Sequence, residues 1–98
     1  MANAVINSDS SIGNNVIINT RASVDHDCQI GNNVHIAPGA TLCGGVSVGD
    51  GSFVAAGATI IPNLNIGRNV IVGAGAVVIK DIPDDVTVVG NPARILAR

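Results

Sequence analysis

Within four residues, Asp25-His26-Asp27-Cys28 bring together an imidazole, two carboxylates and a thiol. An unperturbed imidazole titrates at about 6.5, so at neutral pH most of it is free to accept a proton. A carboxylate beside it can hold the ring and stabilise the imidazolium. On these residues alone a solvated surface histidine is the simpler reading, and a catalytic one needs support from the rest of the chain. The chain has one other histidine, His35, and one other cysteine, Cys43. Two histidines fall short of a three-imidazole zinc set. The pair Gly44-Gly45 follows His26-Asp27 at a separation of 18 residues and is either a tight bend or a place where main chain is left accessible.

The elements that must position these groups come from a repeat of six. With the frame set at Ala4, the third place of each hexad is aliphatic without interruption, from Ile6 and Ile12 through Ile36, Val54 and Ile66 to Val78. The first place is small or aliphatic, as in Ala22, Cys28, Val34, Ala40, Val46, Ala58 and Ala76. Self-similarity at this period predicts a β-helix, whose coils bury little singly and stack into one core. Alternation along each short strand sends places one and three inward and place two outward, leaving places four to six to turn the chain. Gly13-Asn14-Asn15, Gly31-Asn32-Asn33, Gly49-Asp50-Gly51 and Gly67-Arg68-Asn69 mark one column of bends at an 18-residue spacing, which makes three hexads per coil and a triangular section. A second column runs through Thr20, Pro38, Ala56 and Ala74. The third runs through Ser8, His26, Gly44, Pro62 and Lys80.

The outward places differ by face. Ser11, Gln29, Ser47 and Asn65 form a polar face, and Val5, Ser23, Thr41, Thr59 and Val77 an intermediate one. Ile17, His35, Phe53 and Ile71 form an apolar stripe, and Phe53 is the only Phe, Tyr or Trp in the chain. Contiguous outward apolar surface marks a contact site, and a prism with one such face closes most simply into a cyclic homotrimer. The register ends at residue 81, so the β-helix is expected over 1–81 and a turn and capping tail over 82–98. That tail is expected to hold an extended piece from Val86, a Gly90-Asn91-Pro92 turn and one helical turn. At the other end Met1-Ala2-Asn3 falls mid-hexad with no cap, which suggests a shortened form of a longer chain.

Composition narrows the function. At 98 residues this is one small domain that gains from stacking or association. A net charge of -2, five basic residues and one aromatic argue against nucleic acid and against an anionic membrane surface. No apolar run approaches a membrane span and the N-terminus lacks a signal pattern, so a cytoplasmic protein is expected. Cys28 falls at an inward place and Cys43 at a bend, so reduced thiols are expected rather than a disulfide.

The hexad register resembles the left-handed parallel β-helix of hexapeptide-repeat acyltransferases over nearly the whole chain. The left hand comes from that resemblance, since general connection rules favour the other. Three stretches are more specific: Ala22-Ser23-Val24-Asp25-His26-Asp27-Cys28, Gly44-Gly45-Val46-Ser47-Val48-Gly49 and Val89-Gly90-Asn91-Pro92-Ala93-Arg94. Together they resemble the bacterial sugar acetyltransferases grouped with sialic acid O-acetyltransferases and N-acetyltransferases for nucleotide-linked 4-amino sugars. The resemblance implies that His26 is the general base, that Asp27 raises its basicity, and that acetyl-CoA is the co-substrate with no metal. It implies cofactor contacts at His35, Ala56 and Ala74, with Arg94 a partner for the cofactor phosphates. Gly44, one coil from His26 in the same column, is the candidate oxyanion donor through its backbone N–H. His26 and the Ala56/Ala74 bends belong to different corners, so one cleft needs two subunits. The family's N-terminal α/β domain, which holds the nucleotide sugar, is absent from these 98 residues.

The expected function is therefore direct acetyl transfer from acetyl-CoA to the amine or hydroxyl of a bacterial sugar or nucleotide sugar. The alternative is a catalytically incomplete β-helix serving as a structural or trimerisation module. A β-helical carbonic anhydrase lacks its third histidine here, and a covalent cysteine mechanism suits neither the inward Cys28 nor Cys43.

Overall fold

A computed structural model of the chain describes residues 5–6 and 10–97, with the side chains of Val5 and Ala97 left aside. Ser8, which the register puts on a bend, and the Met1-Ala2-Asn3 lead-in lie outside the described residues. Each hexad contributes one two-residue strand. The first coil holds β1 (Val5–Ile6), β2 (Ser11–Ile12) and β3 (Ile17–Ile18), and the second β4 (Ser23–Val24), β5 (Gln29–Ile30) and β6 (His35–Ile36). The third holds β7 (Thr41–Leu42), β8 (Ser47–Val48) and β9 (Phe53–Val54), and the fourth β10 (Thr59–Ile60), β11 (Asn65–Ile66) and β12 (Ile71–Val72). The chain continues through β13 (Val77–Val78), β14 (Thr87–Val89) and β15 (Arg94–Ala97).

From β1 to β13 every third strand pairs in parallel, and with β14 and β15 added at the end the sheets run β1-β4-β7-β10-β13, β11-β8-β5-β2 and β15-β14-β12-β9-β6-β3. The register is the sequence period itself: Ile18 faces Ile36, Ile36 faces Val54 and Val54 faces Val72. These four side chains are 0–2% exposed and form one interior ladder. The fold is the expected left-handed parallel β-helix of about four triangular coils.

β-branched residues at place three, with mostly small ones at place one, fit a strand whose inner face is crowded by the coils on either side. The corners close with a residue at positive φ in each coil, supplied by Asn15, Asn33 and Asn69 in one column and by Gly39, Gly57 and Gly75 in another. Glycine before the bend has a second cause. A Cβ on Gly67 would stand 2.7 Å from the backbone nitrogen of Asp84 and 2.8 Å from the carbonyl carbon of Pro83, so stacking requires its absence.

Side chains complete the stacking where backbone cannot. In the glycine column, Asn32 Oδ1 accepts from Asn14 N–H (2.8 Å) and Asp50 Oδ1 accepts from Asn32 N–H (2.7 Å). Ser52 takes an inward place at 1% exposure, and its Oγ donates to the Gly67 carbonyl (2.7 Å) and accepts from Val70 N–H (3.0 Å).

At the C-terminal end the coil shortens. Ile82 bridges Ile66 and Thr87 faces Ile71, so the separation drops to 16 residues while Val88 still enters the core at 0% exposure. The tail departs from expectation: residues 94–97 form a strand antiparallel to β14, with a bulge between Thr87 and Val88, and not a helical turn. The edge of β14 offers unpaired backbone groups, and a reversal at Gly90 (φ +93) brings β15 back to satisfy them. At the opposite end Ile6 and Ile12 hold inward places yet are 48% and 38% exposed, because among the described residues only one neighbouring coil packs on them.

Candidate active site

The corner between β4 and β5 carries His26. Its N–H donates to Asp25 Oδ1 (2.7 Å), closing the bend, and the next residue, Asp27, adopts φ +60. That turn brings Asp27 Oδ2 to 3.2 Å from His26 Nδ1. An ionised carboxylate only accepts, so this contact is satisfied by the tautomer with its proton on Nδ1, which leaves the Nε2 lone pair free. Both side chains are about two-thirds exposed, so their ion pair adds little stability and serves chiefly to orient the ring.

One coil on, Gly44 lies beneath that ring. A Cβ on Gly44 would stand 2.8 Å from His26 Cε1 and 2.9 Å from Nε2. Backbone bonds stack the corners as well: Gly45 N–H donates to the His26 carbonyl (3.0 Å), and Asn63 N–H, one coil further on, donates to the Gly44 carbonyl (2.9 Å). The Gly44 N–H occupies the same turn place as those of Asn14, Asn32 and Arg68, each of which is taken up by an Asn or Asp side chain. For Gly44, Ala56 and Ala74 no such acceptor within the chain is found among the described residues. His26, Asp27 and Gly44 thus come together on one corner, an imidazole, a carboxylate against its Nδ1 and a main-chain N–H without a partner among the described residues.

The other candidates lie elsewhere. Ala56 and Ala74 are exposed and stacked, with Gly75 N–H donating to the Ala56 carbonyl (2.9 Å) at a different corner. His35 is half-buried on β6 within the apolar stripe. Its ring meets Phe53 edge-on at 4.8 Å between centroids, and its Nε2 accepts from Asn19 Nδ2 at 2.6 Å. Asn19 was not among the sequence candidates; the register puts it on the bend after β3, and only the side-chain directions bring it to His35. Arg94 is exposed at the start of β15.

Cys28 is fully buried and its Sγ donates to the Cys43 carbonyl (3.2 Å). Burial pushes its thiol pKa up, with Asp25 adding to the effect, which leaves a poor nucleophile. Both cysteines are free thiols. Among the described residues no group of three His, Cys, Asp or Glu side chains is placed to hold a metal, and no helix is long and apolar enough to cross a membrane.

The repeat profile described as bacterial transferase hexapeptide (six repeats) matches residues 9–44, 27–62 and 45–80. Nothing matches among curated protein sequences. Among solved structures, a histidine-to-asparagine mutant of perosamine N-acetyltransferase from Caulobacter crescentus, in complex with CoA and GDP-perosamine, is 50% identical with a TM-score of 0.98, over 100% of this chain and 47% of that one. The acetyltransferase domain of PglB from Neisseria gonorrhoeae FA1090, in complex with acetyl coenzyme A, is 35% identical with a TM-score of 0.85, over 96% of this chain and 55% of that one. Neisseria gonorrhoeae serine acetyltransferase is 34% identical with a TM-score of 0.93, over 98% of this chain and 41% of that one. The chain therefore spans about half the length of the structures it matches. With the profile covering most of its residues and the coil register carrying the same period, the chain belongs to the bacterial transferase hexapeptide-repeat family.

Proposed function

We propose that the chain is the β-helical part of a cytoplasmic acetyl-CoA-dependent acetyltransferase acting on the amine, or hydroxyl, of a bacterial sugar or nucleotide sugar. The observation that carries this reading is the His26 ring, oriented by Asp27 through Nδ1 and lying over Gly44 with Nε2 free. Likeness to sugar N-acetyltransferases solved with CoA, acetyl-CoA and GDP-perosamine supports the donor and the acceptor class.

In this reading the acceptor nitrogen attacks the thioester carbonyl as His26 Nε2 takes its proton. The Gly44 N–H meets the oxyanion of the tetrahedral intermediate, which collapses to the amide and expels the CoA thiolate. The imidazolium, held by Asp27, returns the proton to that sulfur. Base catalysis of this kind contributes roughly 100- to 10,000-fold. The unpaired N–H groups of Ala56 and Ala74 suit the amide-bearing pantetheine arm, and His35 lies on the face next to their corner.

The β-helix over 1–81 and its cap over 82–98 act as a homotrimer in this proposal. The Ile17, His35, Phe53 and Ile71 face lies across the prism from the His26 corner, so a heterologous contact would set the Ala56/Ala74 corner of one subunit beside His26 of the next. Calorimetry with acetyl-CoA, followed by thiol-release assays with nucleotide-linked amino sugars, tests the whole. Binding and turnover are expected. A folded trimer that binds no acetyl-CoA would favour the scaffold instead.

A further inference from the structure

We propose that Ser10 and Cys28 are positioning residues for acetyl transfer, each wedged into the turn one coil on and holding the peptide group on which His26 or Gly44 depends; this rests on the reading of His26 as base and Gly44 as oxyanion donor. Both occupy the first, inward place of a hexad, which elsewhere is Ala, Val or Leu except at Ser52. Ser10 Oγ donates to the Asp25 carbonyl (2.8 Å) and accepts from Cys28 N–H (3.1 Å). One coil on, Cys28 Sγ donates to the Cys43 carbonyl (3.2 Å). Burial raises the thiol pKa, which keeps that proton on sulfur, and a backbone hydrogen bond from Val46 to the same sulfur offsets part of the rise. Ser10 thus stands between the ends of the turn 25–28, and Cys28 between the ends of the turn 43–46.

Bends without such a wedge close on themselves. Ala40 N–H donates to the Ala37 carbonyl (3.2 Å), Ala58 N–H to that of Ala55 (3.2 Å) and Ala76 N–H to that of Gly73 (3.1 Å). The inward residue one coil earlier is Ala22, Ala40 and Ala58 in turn, and a methyl group has nothing to insert.

The wedge reaches the chemistry because a peptide unit is planar, so a carbonyl held inward fixes the direction of the N–H across the same bond. The Asp25 carbonyl shares its unit with the His26 N–H, which reaches Asp25 Oδ1 (2.7 Å). The Cys43 carbonyl shares its unit with the Gly44 N–H, which has no partner among the described residues. Ser10 therefore sets the bend that carries the imidazole, and Cys28 aims the donor assigned to the oxyanion. In this column the inward donors stop where the site stops: Val46, at the same place one coil on, has none to offer the turn at Pro62. Ser52 makes the same wedge in the glycine column, between Gly67 and Val70, where no candidate catalytic group stands. It supplies the purely structural case for comparison.

The test measures kcat and KM by thiol release, with acetyl-CoA and the nucleotide-linked amino sugar that the wild-type chain turns over, alongside denaturant unfolding. Cys28→Ala and Ser10→Ala are expected to lower kcat about tenfold or more with KM for acetyl-CoA nearly unchanged. Cys28→Ser and Ser10→Cys, which keep a donor, are expected to restore most of it. Ser52→Ala is expected to lose stability and keep its kcat. Should Cys28→Ala fail to fold, Cys28→Val takes its place, with the residue that Val46 shows to fit one coil on. A crystal structure of the donor-less Cys28 variant is expected to show Val46 N–H bonded directly to the Cys43 carbonyl and the Gly44 peptide displaced. Donor-less variants that turn over like wild type, a kcat loss that Ser52→Ala shares, or a Gly44 peptide that does not move would overturn the proposal alone. A wild-type chain with no turnover would overturn the acetyl-transfer reading and this role with it, so the two failures are distinct.

Discussion

Replacing Gly44 with alanine would set a methyl group less than 3 Å from two atoms of the His26 ring. The ring is about two-thirds exposed, so it can give way toward solvent at the expense of its contact with Asp27, and the cost falls on its position and not on folding. Gly44→Ala is therefore expected to lower kcat at least tenfold with little change in melting temperature, measured by thiol release and by thermal unfolding. His26→Ala should lower turnover by 100-fold or more and leave assembly intact; an active variant would remove His26 from the mechanism. Cys28 tests the local chemistry from the other side. Because burial raises its thiol pKa and hides its sulfur, it should resist thiol reagents in the folded chain while the partly exposed Cys43 reacts, as counted by mass spectrometry. At this scale the Asp25-His26-Asp27-Cys28 run was legible, since side-chain type and the hexad register decide which groups point out. Asn19 was not, because its bond to His35 joins residues 16 apart and needs both side-chain directions.

Two-residue strands have almost no stability of their own, and each depends on the coils above and below. Ser52 shows how the stacking absorbs a polar residue at an inward place, through one hydroxyl that bonds to Gly67 and Val70. Ser52→Ala would leave the buried Val70 N–H and the part-buried Gly67 carbonyl without this partner, at a cost of about 1–3 kcal/mol measured by denaturant unfolding. Ile36→Ala, in the centre of the ladder, should cost roughly 2–5 kcal/mol through lost burial and a cavity. The strands, bends and their columns follow from the period of six, because alternation and positive-φ residues are local properties. The capping tail did not follow. Whether residues 94–97 coil or extend is decided by the open edge of β14, which no local pattern announces.

For the molecule as a whole, the outward stripe on β3, β6, β9 and β12 is the feature a single chain leaves unexplained. Ile17 and Ile71 are 47% and 48% exposed, with His35 and Phe53 packed against each other between them. Phe53→Asp would place a charge in the middle of that surface. If the chain assembles and acts as proposed, the expected result is dissociation of that trimer and loss of transfer activity, read by light scattering and assay. A trimer that persists would assign assembly to another face.

The repeat, the inward ladder and the three bend columns were determined by sequence alone, because a strict period copies one local geometry along the axis and stacks equal places on each other. The hexad also placed His26 and Gly44 in one column. Tertiary structure decided how they meet: the ring of one lies on the absent side chain of the other, and Asp27 turns back onto Nδ1 only through a bend at positive φ. It also folded β15 against β14, since pairing across a reversal depends on an edge made by the rest of the chain.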